Sequence, residues 1–265
     1  MNKRIIIKEF KMNSLNNRKK KVRIILPKNY FLTKDKYPVL YMHDGQNLVN
    51  KSDYSNYSWE VLKTMDDLGE MIIVGMDSHP TKRIQEYSPA LAKNVINYIN
   101  KKVGVPKSEI KPEADEYGLF IINQVKPYID SNFRSYKDRN HTFIAGSSCG
   151  GIISIYLGLK YQNVFSIIGA FSPALWFVRK PFFDLIESIN INENIIIYHD
   201  MGTKENGKFS SLYIKYQKKF DELIRKKIPS DNVVMLIDKG AKHNEFYWAK
   251  RFHGFYSLCL ENIKE

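Results

Sequence analysis

A serine bracketed by glycines is the residue of this sequence best suited to nucleophilic chemistry. The run Gly146-Ser-Ser-Cys-Gly150 has the spacing G-x-S-x-G around Ser148. On a sharp turn between a strand and a helix, small residues two positions to either side of a serine let the turn close, and the hydroxyl then projects clear of both elements. Neither Ser147 nor Cys149 has glycine at both of those positions. The pattern therefore predicts that Ser148 is the nucleophile.

A serine nucleophile needs a base, and three histidines follow Ser148 in the chain: His199, His243 and His253. On α/β sheets with this kind of turn, the chain order is nucleophile, acid, histidine. His199 precedes the acid candidates, and His253 lies inside a helical pattern. His243 lies in the loop between the last predicted strand and the last predicted helix, so we predict that it is the base.

Two carboxylates follow the preceding predicted strand and could orient the imidazole, namely Asp200 and Glu205. The acid must hold the imidazole in one tautomer and stabilise the imidazolium that forms. Asp200 lies at the predicted strand end, whereas Glu205 lies past Gly202 in the loop and has a longer side chain. Position alone leaves both candidates open.

Acyl transfer also needs donors for the oxyanion, and two backbone N–H groups are predicted. One is that of Cys149, the residue after the nucleophile. The other comes from the loop His43-Asp-Gly-Gln-Asn47 and belongs to Gln46 or, as the alternative, to Gly45. One such donor stabilises the transition state by about 3 kcal/mol. The histidine and aspartate that begin this loop are interpreted as holding its shape.

Eight short apolar runs have the patterns of strands. They cover residues 4–12, 20–26, 37–44, 71–77, 141–146, 164–171, 194–198 and 233–238. The first two alternate with charged residues, which indicates half-exposed antiparallel strands. The later runs are nearly continuous in apolar residues, which is typical of parallel strands covered on both faces.

Helical patterns fall between the later strands. They cover residues 59–69, 117–133, 151–160, 209–227 and 244–263. Pro127 interrupts the second pattern, so a kink or a split is expected there. Strands that alternate with helices predict an α/β fold, here a mostly parallel sheet of about eight strands with antiparallel N-terminal strands and helices on both faces.

The length of 265 residues suits one α/β domain spanning residues 1–265. Residues 78–117 contain four prolines and little periodic pattern, apart from a short helical stretch at residues 92–102. Because long irregular segments in compact domains are usually functional, we interpret this segment as a flap or insertion over the site.

Charge and composition exclude several classes of protein. The net charge is +13, but the basic residues are spread along the chain, and the densest run, residues 18–23, contains no aromatic residue. This favours a basic solvated surface over a nucleic-acid interface.

No apolar run is long enough for a transmembrane helix, and the N-terminal run is too short for a signal segment. Two cysteines, Cys149 and Cys259, form neither a disulfide framework nor a metal-ligand pattern, so the expected compartment is the cytoplasm.

With these residues identified, the sequence resembles the putative esterase family of α/β hydrolases. That family includes esterase D-like enzymes, enterochelin-type siderophore esterases and carbohydrate esterase family 1. The resemblance covers about residues 23–252. It is carried by Tyr37-Pro-Val-Leu-Tyr-Met-His-Asp-Gly-Gln-Asn47, Arg83 with Glu86-Tyr-Ser-Pro89, Gly146-Ser-Ser-Cys-Gly-Gly151, Phe171-Ser-Pro-Ala-Leu-Trp176, Gly202-Thr-Lys-Glu205 and His243-Asn-Glu245.

The resemblance implies a serine carboxylesterase that works through an acyl-enzyme and needs no metal or organic cofactor. It favours Glu205 over Asp200, because relatives carry the acid at the end of the Gly-Thr-x-Glu/Asp stretch. Relatives usually have Met in place of Cys149, of which only the backbone is needed. The implied substrates are siderophore lactones and acylated sugars. The basic charge favours an anionic small-molecule ester, with Arg83 near the mouth of the pocket.

Three points stay open in the sequence. Trp176 could line the substrate pocket or pack in the core. An acyltransferase would share every catalytic residue with an esterase, and a non-catalytic binding protein could retain the same fold. The oligomeric state is not predicted.

Overall fold

The computed structural model describes residues 4–53 and 55–263. Within them, eight strands form one sheet with the order β1-β2-β4-β3-β5-β6-β7-β8. The strands are β1 Ile5–Met12, β2 Arg18–Ile25, β3 Val39–His43, β4 Ile72–Met76, β5 Thr142–Ser147, β6 Ile167–Phe171, β7 Ile196–Gly202 and β8 Val233–Asp238. β2 is antiparallel to β1 and β4, and the other neighbours are parallel. The predicted sheet is confirmed.

Helices cover both faces of the sheet, as predicted. They are α1 Val61–Leu68, α2 Arg83–Glu86, α3 Lys93–Val103, α4 Ala114–Phe120, α5 Lys126–Asn132, α6 Cys149–Lys160, α7 Leu175–Ser188, α8 Ser210–Arg225 and α9 Glu245–Glu261. Alternate strand residues pack on opposite faces: Tyr41 lies in the larger apolar cluster, and Leu40 and Met42 lie in the cluster that α9 completes. Both faces are therefore buried, which explains the continuous apolar strands.

The helix predicted around Pro127 is split, as expected. A π-helical turn, Ile121–Val125, separates α4 from α5. Pro127 lies in the first turn of α5, the part of a helix in which proline is best tolerated.

Helix α7 is absent from the sequence-based prediction. Two features obscure its pattern: Pro181 lies inside its range, and Arg179 adopts φ 54°, which breaks the helix into two pieces. Pro181 begins the second piece rather than ending the first, because proline is well tolerated in a first helical turn.

Residues 78–117 are held at both ends by buried ion pairs. Lys20 Nζ lies 2.5 Å from Glu86 Oε2, and Arg18 Nη1 lies 2.8 Å from Glu86 Oε1 and 2.6 Å from Glu113 Oε2. Between these anchors, α3 buries Val95 in a small apolar cluster of its own. The segment is therefore more regular than its sequence predicts, with two helices before α4.

Replacing Glu86 with alanine is expected to destabilise the fold strongly. Glu86 is fully buried, and its loss leaves Lys20, which is 2% exposed, without its acceptor. Breaking one side of a buried ion pair typically costs about 3–5 kcal/mol. Urea unfolding would measure the change. Glu9→Ala serves as the control, because Glu9 pairs with Lys19 on the exposed surface; equal losses for both variants would contradict the expectation.

Candidate active site

Ser148 lies between β5 and α6 in a strained backbone conformation. Its φ is 58° and its ψ is −121°. Such conformations in residues other than glycine cost about 1–3 kcal/mol and persist where surrounding structure holds them. A Cβ on Gly146 would lie 2.7 Å from the carbonyl oxygen of Gly150, so the turn closes only with glycine at that position. The local geometry is that of the strand–turn–helix predicted from the G-x-S-x-G spacing.

Backbone hydrogen bonds from the turn after β6 hold Ser148 in this conformation. The Ser148 N–H donates to the carbonyl of Phe171 at 2.9 Å, and the N–H of Ala174 donates to the Ser148 carbonyl at 3.1 Å. The strained serine is thus attached on both sides to one neighbouring turn.

His243 and Glu205 form a hydrogen-bonded pair. His243 Nδ1 lies 2.5 Å from Glu205 Oε2. The Glu205 side chain is fully buried, whereas a quarter of the His243 side chain is exposed. Burial raises the pKa of Glu205, but the hydrogen bond and charge of His243, with hydrogen bonds from Ser172 and Gly202, outweigh burial, so that its pKa lies below the ordinary value.

Asp200 occupies a different environment, away from His243. It accepts hydrogen bonds from Arg251 Nε at 2.9 Å and from the Tyr198 hydroxyl at 2.9 Å. Burial raises its pKa to about 6, against the opposing charge of Arg251. The sequence placed Asp200 at a strand end, but β7 continues to Gly202, which pairs with Asp238 of β8. The structure therefore brings Glu205, and not Asp200, to His243.

Six of the seven predicted site residues line one cavity of about 410 Å³ at the carboxyl end of the parallel strands. They are Arg83, Ser148, Cys149, Trp176, Glu205 and His243. Ligands on open α/β sheets bind at this edge. The seventh, Gln46, does not line the cavity.

The two predicted oxyanion donors lie on neighbouring elements. Cys149 is the first residue of α6, so its N–H has no intrahelical acceptor. Gln46 lies in a short 3₁₀ turn, Gly45–Asn47. Its side-chain amide donates to the Ser78 hydroxyl at 2.8 Å and accepts from the Ser78 N–H at 3.0 Å. This turn lies beside the nucleophile turn, because a Cβ on Gly150 would lie 3.3 Å from the Asp44 carboxylate.

The side chain of Cys149 contacts those of Ser148 and Arg83. Burial raises the pKa of its thiol, although the charge of Arg83 acts in the opposite direction. Cys149 is therefore a neutral thiol in this environment, and a neutral thiol is a poor nucleophile.

Arg83 and Trp176 form parts of the cavity wall. Arg83 Nε and Nη2 each lie 2.7 Å from an oxygen of Asp44, so one carboxylate already matches most of its charge. The ring of Trp176 stacks on that of Tyr213, with centroids 4.1 Å apart and planes 2° apart. Of the two positions that the sequence left open for Trp176, it takes both, because it lines the cavity and also packs against the larger apolar cluster.

The other candidate histidines lie outside this cavity. His199 is buried and hydrogen-bonds to Asp221 and Gln217, while His253 is exposed on α9. His43 is buried, and its Nδ1 lies 2.8 Å from the hydroxyl of Tyr117. Burial lowers its pKa to about 3, so it stays neutral.

Sequence reasoning missed six residues that complete the cavity: Ile84, Tyr98, Ala174, Phe177, Asn206 and Tyr213. Tyr98 and Phe177 lie on α3 and α7 and contact each other edge-on, with centroids 5.6 Å apart. Tyr213 belongs to the apolar stripe of α8, which gave no signal beyond packing. Asn206 follows Glu205 directly, and its side-chain amide donates to the Tyr213 hydroxyl at 2.6 Å.

A second cavity of about 490 Å³ lies beside β1 and β2. Its lining includes Ile7, Ile25, Val49 and Arg23, and Arg23 is already paired with Asp77 at 2.6 Å. It contains no nucleophile and no base, so we exclude it as the site of the chemistry described above.

Metal clusters and membrane-spanning helices are both absent from residues 4–53 and 55–263. No group of three or more His, Cys, Asp or Glu side chains there could hold a metal ion. None of the helices within those ranges has the length and apolar character that crossing a bilayer requires.

Comparison with known proteins identifies the family of this sequence. The sequence matches the family described as "Putative esterase" over residues 13–255. The protein YbbA of Bacillus subtilis (strain 168), described as uncharacterized, is 24% identical over 238 residues, which are 86% of this chain and 88% of that protein.

Three solved structures share the fold. Enterobactin esterase FES from Shigella flexneri has a TM-score of 0.73 at 14% identity, and the match covers 97% of this chain and 58% of that one. An IroE-like serine hydrolase from Shewanella oneidensis has a TM-score of 0.73 at 18% identity, covering 97% and 80%. BES protein from Bacillus cereus has a TM-score of 0.67 at 18% identity, covering 100% and 96%. Because the family match spans most of the chain, the protein belongs to the putative esterase family of carboxylic ester hydrolases, on an α/β-hydrolase fold.

Proposed function

We propose that this protein is a serine carboxylesterase with Ser148 as nucleophile, His243 as base and Glu205 as acid. One observation carries the proposal: the hydrogen-bonded His243–Glu205 pair lines the same cavity as a serine held at φ 58°. A strained serine beside an oriented imidazole is the arrangement that activates a hydroxyl for acyl transfer.

The proposed reaction proceeds through an acyl-enzyme. His243 takes the proton of Ser148 as the hydroxyl oxygen attacks the ester carbonyl carbon, and the N–H groups of Gln46 and Cys149 stabilise the oxyanion. The C–O bond to the alcohol then breaks, and His243 returns its proton to the leaving oxygen. Water repeats the sequence on the acyl-enzyme and releases the acid. Throughout, Glu205 holds the imidazole with its proton on Nδ1.

We propose an ester with a bulky, ring-containing group as the substrate. Tyr98, Phe177, Trp176 and Tyr213 give the cavity aromatic walls, which suit stacking on a flat group. The names of the structural neighbours, an enterobactin esterase and a ferulic acid esterase, fit this class. A siderophore lactone or an acylated sugar with aromatic acyl groups would satisfy it.

We also propose that the substrate carries negative charge outside the cavity. Arg83 contributes little, since Asp44 matches its charge. Lys204, Lys208 and Lys242 instead lie exposed on the loops that carry Glu205 and His243, and within residues 4–53 and 55–263 no salt bridge involves them. These loops are adjacent, because the Lys204 N–H donates to the carbonyl of Ala241 at 2.9 Å.

The segment that contains α2 and α3 contributes Arg83, Ile84 and Tyr98 to the cavity. We propose that this segment, residues 78–117, is a wall that shapes substrate selection. We further propose a cytoplasmic location, because both cysteines are free and buried.

A fluorophosphonate probe tests the serine mechanism without knowledge of the substrate. The wild-type protein is expected to be labelled on Ser148, since the probe reacts only with an activated serine. A panel of p-nitrophenyl esters, feruloyl esters and enterobactin would then rank the acyl groups, and an added alcohol would reveal any transferase activity. A folded wild-type protein that neither labels nor hydrolyses any ester would indicate a binding protein on a hydrolase fold.

A further inference from the structure

The serine after β6, Ser172, is a buried polar residue that the proposed reaction does not use. It is fully buried and has φ 43°, a conformation that serine rarely adopts. Its N–H donates to Asp200 Oδ1 at 2.8 Å, and its hydroxyl oxygen has three neighbours. Trp248 Nε1 lies at 3.0 Å, Arg251 Nη2 at 3.0 Å and Glu205 Oε1 at 2.5 Å.

The chemistry of these neighbours decides the direction of each hydrogen bond. A serine hydroxyl has one hydrogen to donate and two lone pairs to accept with. The indole N–H of Trp248 and the guanidinium N–H of Arg251 can only donate, so they take both lone pairs. The hydroxyl hydrogen of Ser172 therefore points to Glu205 Oε1. No rotation of the hydroxyl improves this arrangement, because every other neighbour is a donor.

The Glu205 carboxylate therefore accepts three hydrogen bonds, and each of them is fixed to one of its two oxygens. Oε1 accepts from Ser172 and from the Gly202 N–H at 2.7 Å, which leaves Oε2 for His243 Nδ1. Rotation of the Glu205 carboxylate would break all three bonds. The helix that begins two residues after His243, α9, supplies both Trp248 and Arg251. The helix next to the imidazole therefore also orients Ser172, which in turn orients Glu205.

The turn that holds Ser172 also holds the nucleophile. Phe171 and Ala174, on either side of it, make the two backbone hydrogen bonds to Ser148 described above. A displacement of this turn would therefore move the nucleophile and the acid together.

Resting on the proposed function, we propose that Ser172 is a positioning residue, which donates its hydroxyl hydrogen to Glu205 and keeps the acid aligned with the strained Ser148. Arg251 and Trp248 act through it by occupying its lone pairs. Ser172 does not line the cavity, so it has no part in substrate binding.

The consequence for pH dependence has a definite sign. The titratable and charged groups that face Glu205 are His243, Arg251, Asp200 and Tyr213. Removal of the donor at Ser172 leaves more negative charge on the carboxylate. The hydrogen bond from Ser172 helps to lower the pKa of Glu205, so its loss raises that pKa and moves the acid limb of the rate profile to higher pH. A Glu205 carboxylate that can rotate more freely also lowers kcat without changing KM.

The experiment compares Ser172→Ala and Ser172→Gly with the wild type. The readouts are kcat and KM for p-nitrophenyl acetate, and the rate of fluorophosphonate labelling, from about pH 5 to about pH 9. Both variants are expected to lose about tenfold in kcat at unchanged KM, with the acid limb moved to higher pH. Glycine accepts φ 43° without strain, so Ser172→Gly carries the test if Ser172→Ala folds poorly.

Tyr198→Phe is the matched control. It removes another hydroxyl from the same buried network, the one bonded to Asp200, without touching Glu205. Its kcat and pH profile are expected to match the wild type. If both Ser172 variants behave like Tyr198→Phe, the positioning role is overturned, while the proposed esterase stands. A folded wild-type protein that fails to label overturns both.

Discussion

Replacing Ser148 with alanine is expected to lower ester turnover by about a thousandfold or more while the fold persists. The alanine removes the oxygen that attacks the carbonyl, and no neighbour replaces it. Ser147 is buried in β5 and the Cys149 thiol is neutral. Hydrolysis of p-nitrophenyl acetate measures the loss, and fluorophosphonate labelling should disappear with it.

Ser148→Gly separates catalysis from strain. Glycine adopts positive φ without cost, so this variant should be as inactive as Ser148→Ala but more stable in urea, by about 1 kcal/mol. Ser147→Ala, one position away, is the control and should keep its turnover. If Ser148→Ala retained even a tenth of the wild-type rate, Ser148 could not be the nucleophile.

The parts of the site that the sequence predicts are those whose geometry is local. The turn around Ser148 requires only five consecutive residues between a strand and a helix, and the steric need for Gly146 follows from that turn alone. Likewise, the alternation of strand and helix patterns specifies a parallel sheet, and with it the edge at which the loops meet. His243 follows from chain order, because it lies after the last strand.

Asp200 and Glu205 could not be distinguished from the sequence because the true end of β7 could not be predicted. The apolar pattern of β7 stops at Tyr198, since the next two residues, His199 and Asp200, are polar. Pairing with β8 nevertheless extends the strand to Gly202 and buries Asp200 within the sheet, where Arg251 compensates its charge. This compensation comes from a residue 51 positions away, which no local pattern contains.

Ser172 and the aromatic walls of the cavity also depend on contacts between residues that are far apart in the sequence. Ser172 lies 79 positions from Arg251 and 33 from Glu205. From the sequence, it is only a polar residue after a parallel strand, as many loop residues are. The stacking of Trp176 on Tyr213 joins two helices, and one of these was not predicted because of its break at Arg179.

Glu205→Gln is expected to lower kcat by about 10²- to 10⁴-fold with little change in folding, and Asp200→Asn by less than about tenfold. Glutamine keeps the size of the side chain but replaces one acceptor oxygen with an NH₂ donor. Kinetics with p-nitrophenyl acetate and urea unfolding of both variants measure the two effects. The reverse order of activity losses would make Asp200 the acid.

The hydrogen-bond donors around the Glu205 carboxylate explain why Glu205→Gln is expected to lose so much activity. Ser172 and the Gly202 N–H both donate to Oε1, so the amide oxygen must take that place and the NH₂ group must face His243. Two donors cannot share a hydrogen bond, so Nδ1 of His243 gives up its hydrogen and Nε2 takes it. The imidazole then presents N–H, rather than a lone pair, on its other nitrogen, and cannot accept the proton of Ser148. The Asp200→Asn variant, in contrast, keeps the oxygen that accepts from the Ser172 N–H, and Arg251 keeps Asp238 and Ser172 as acceptors.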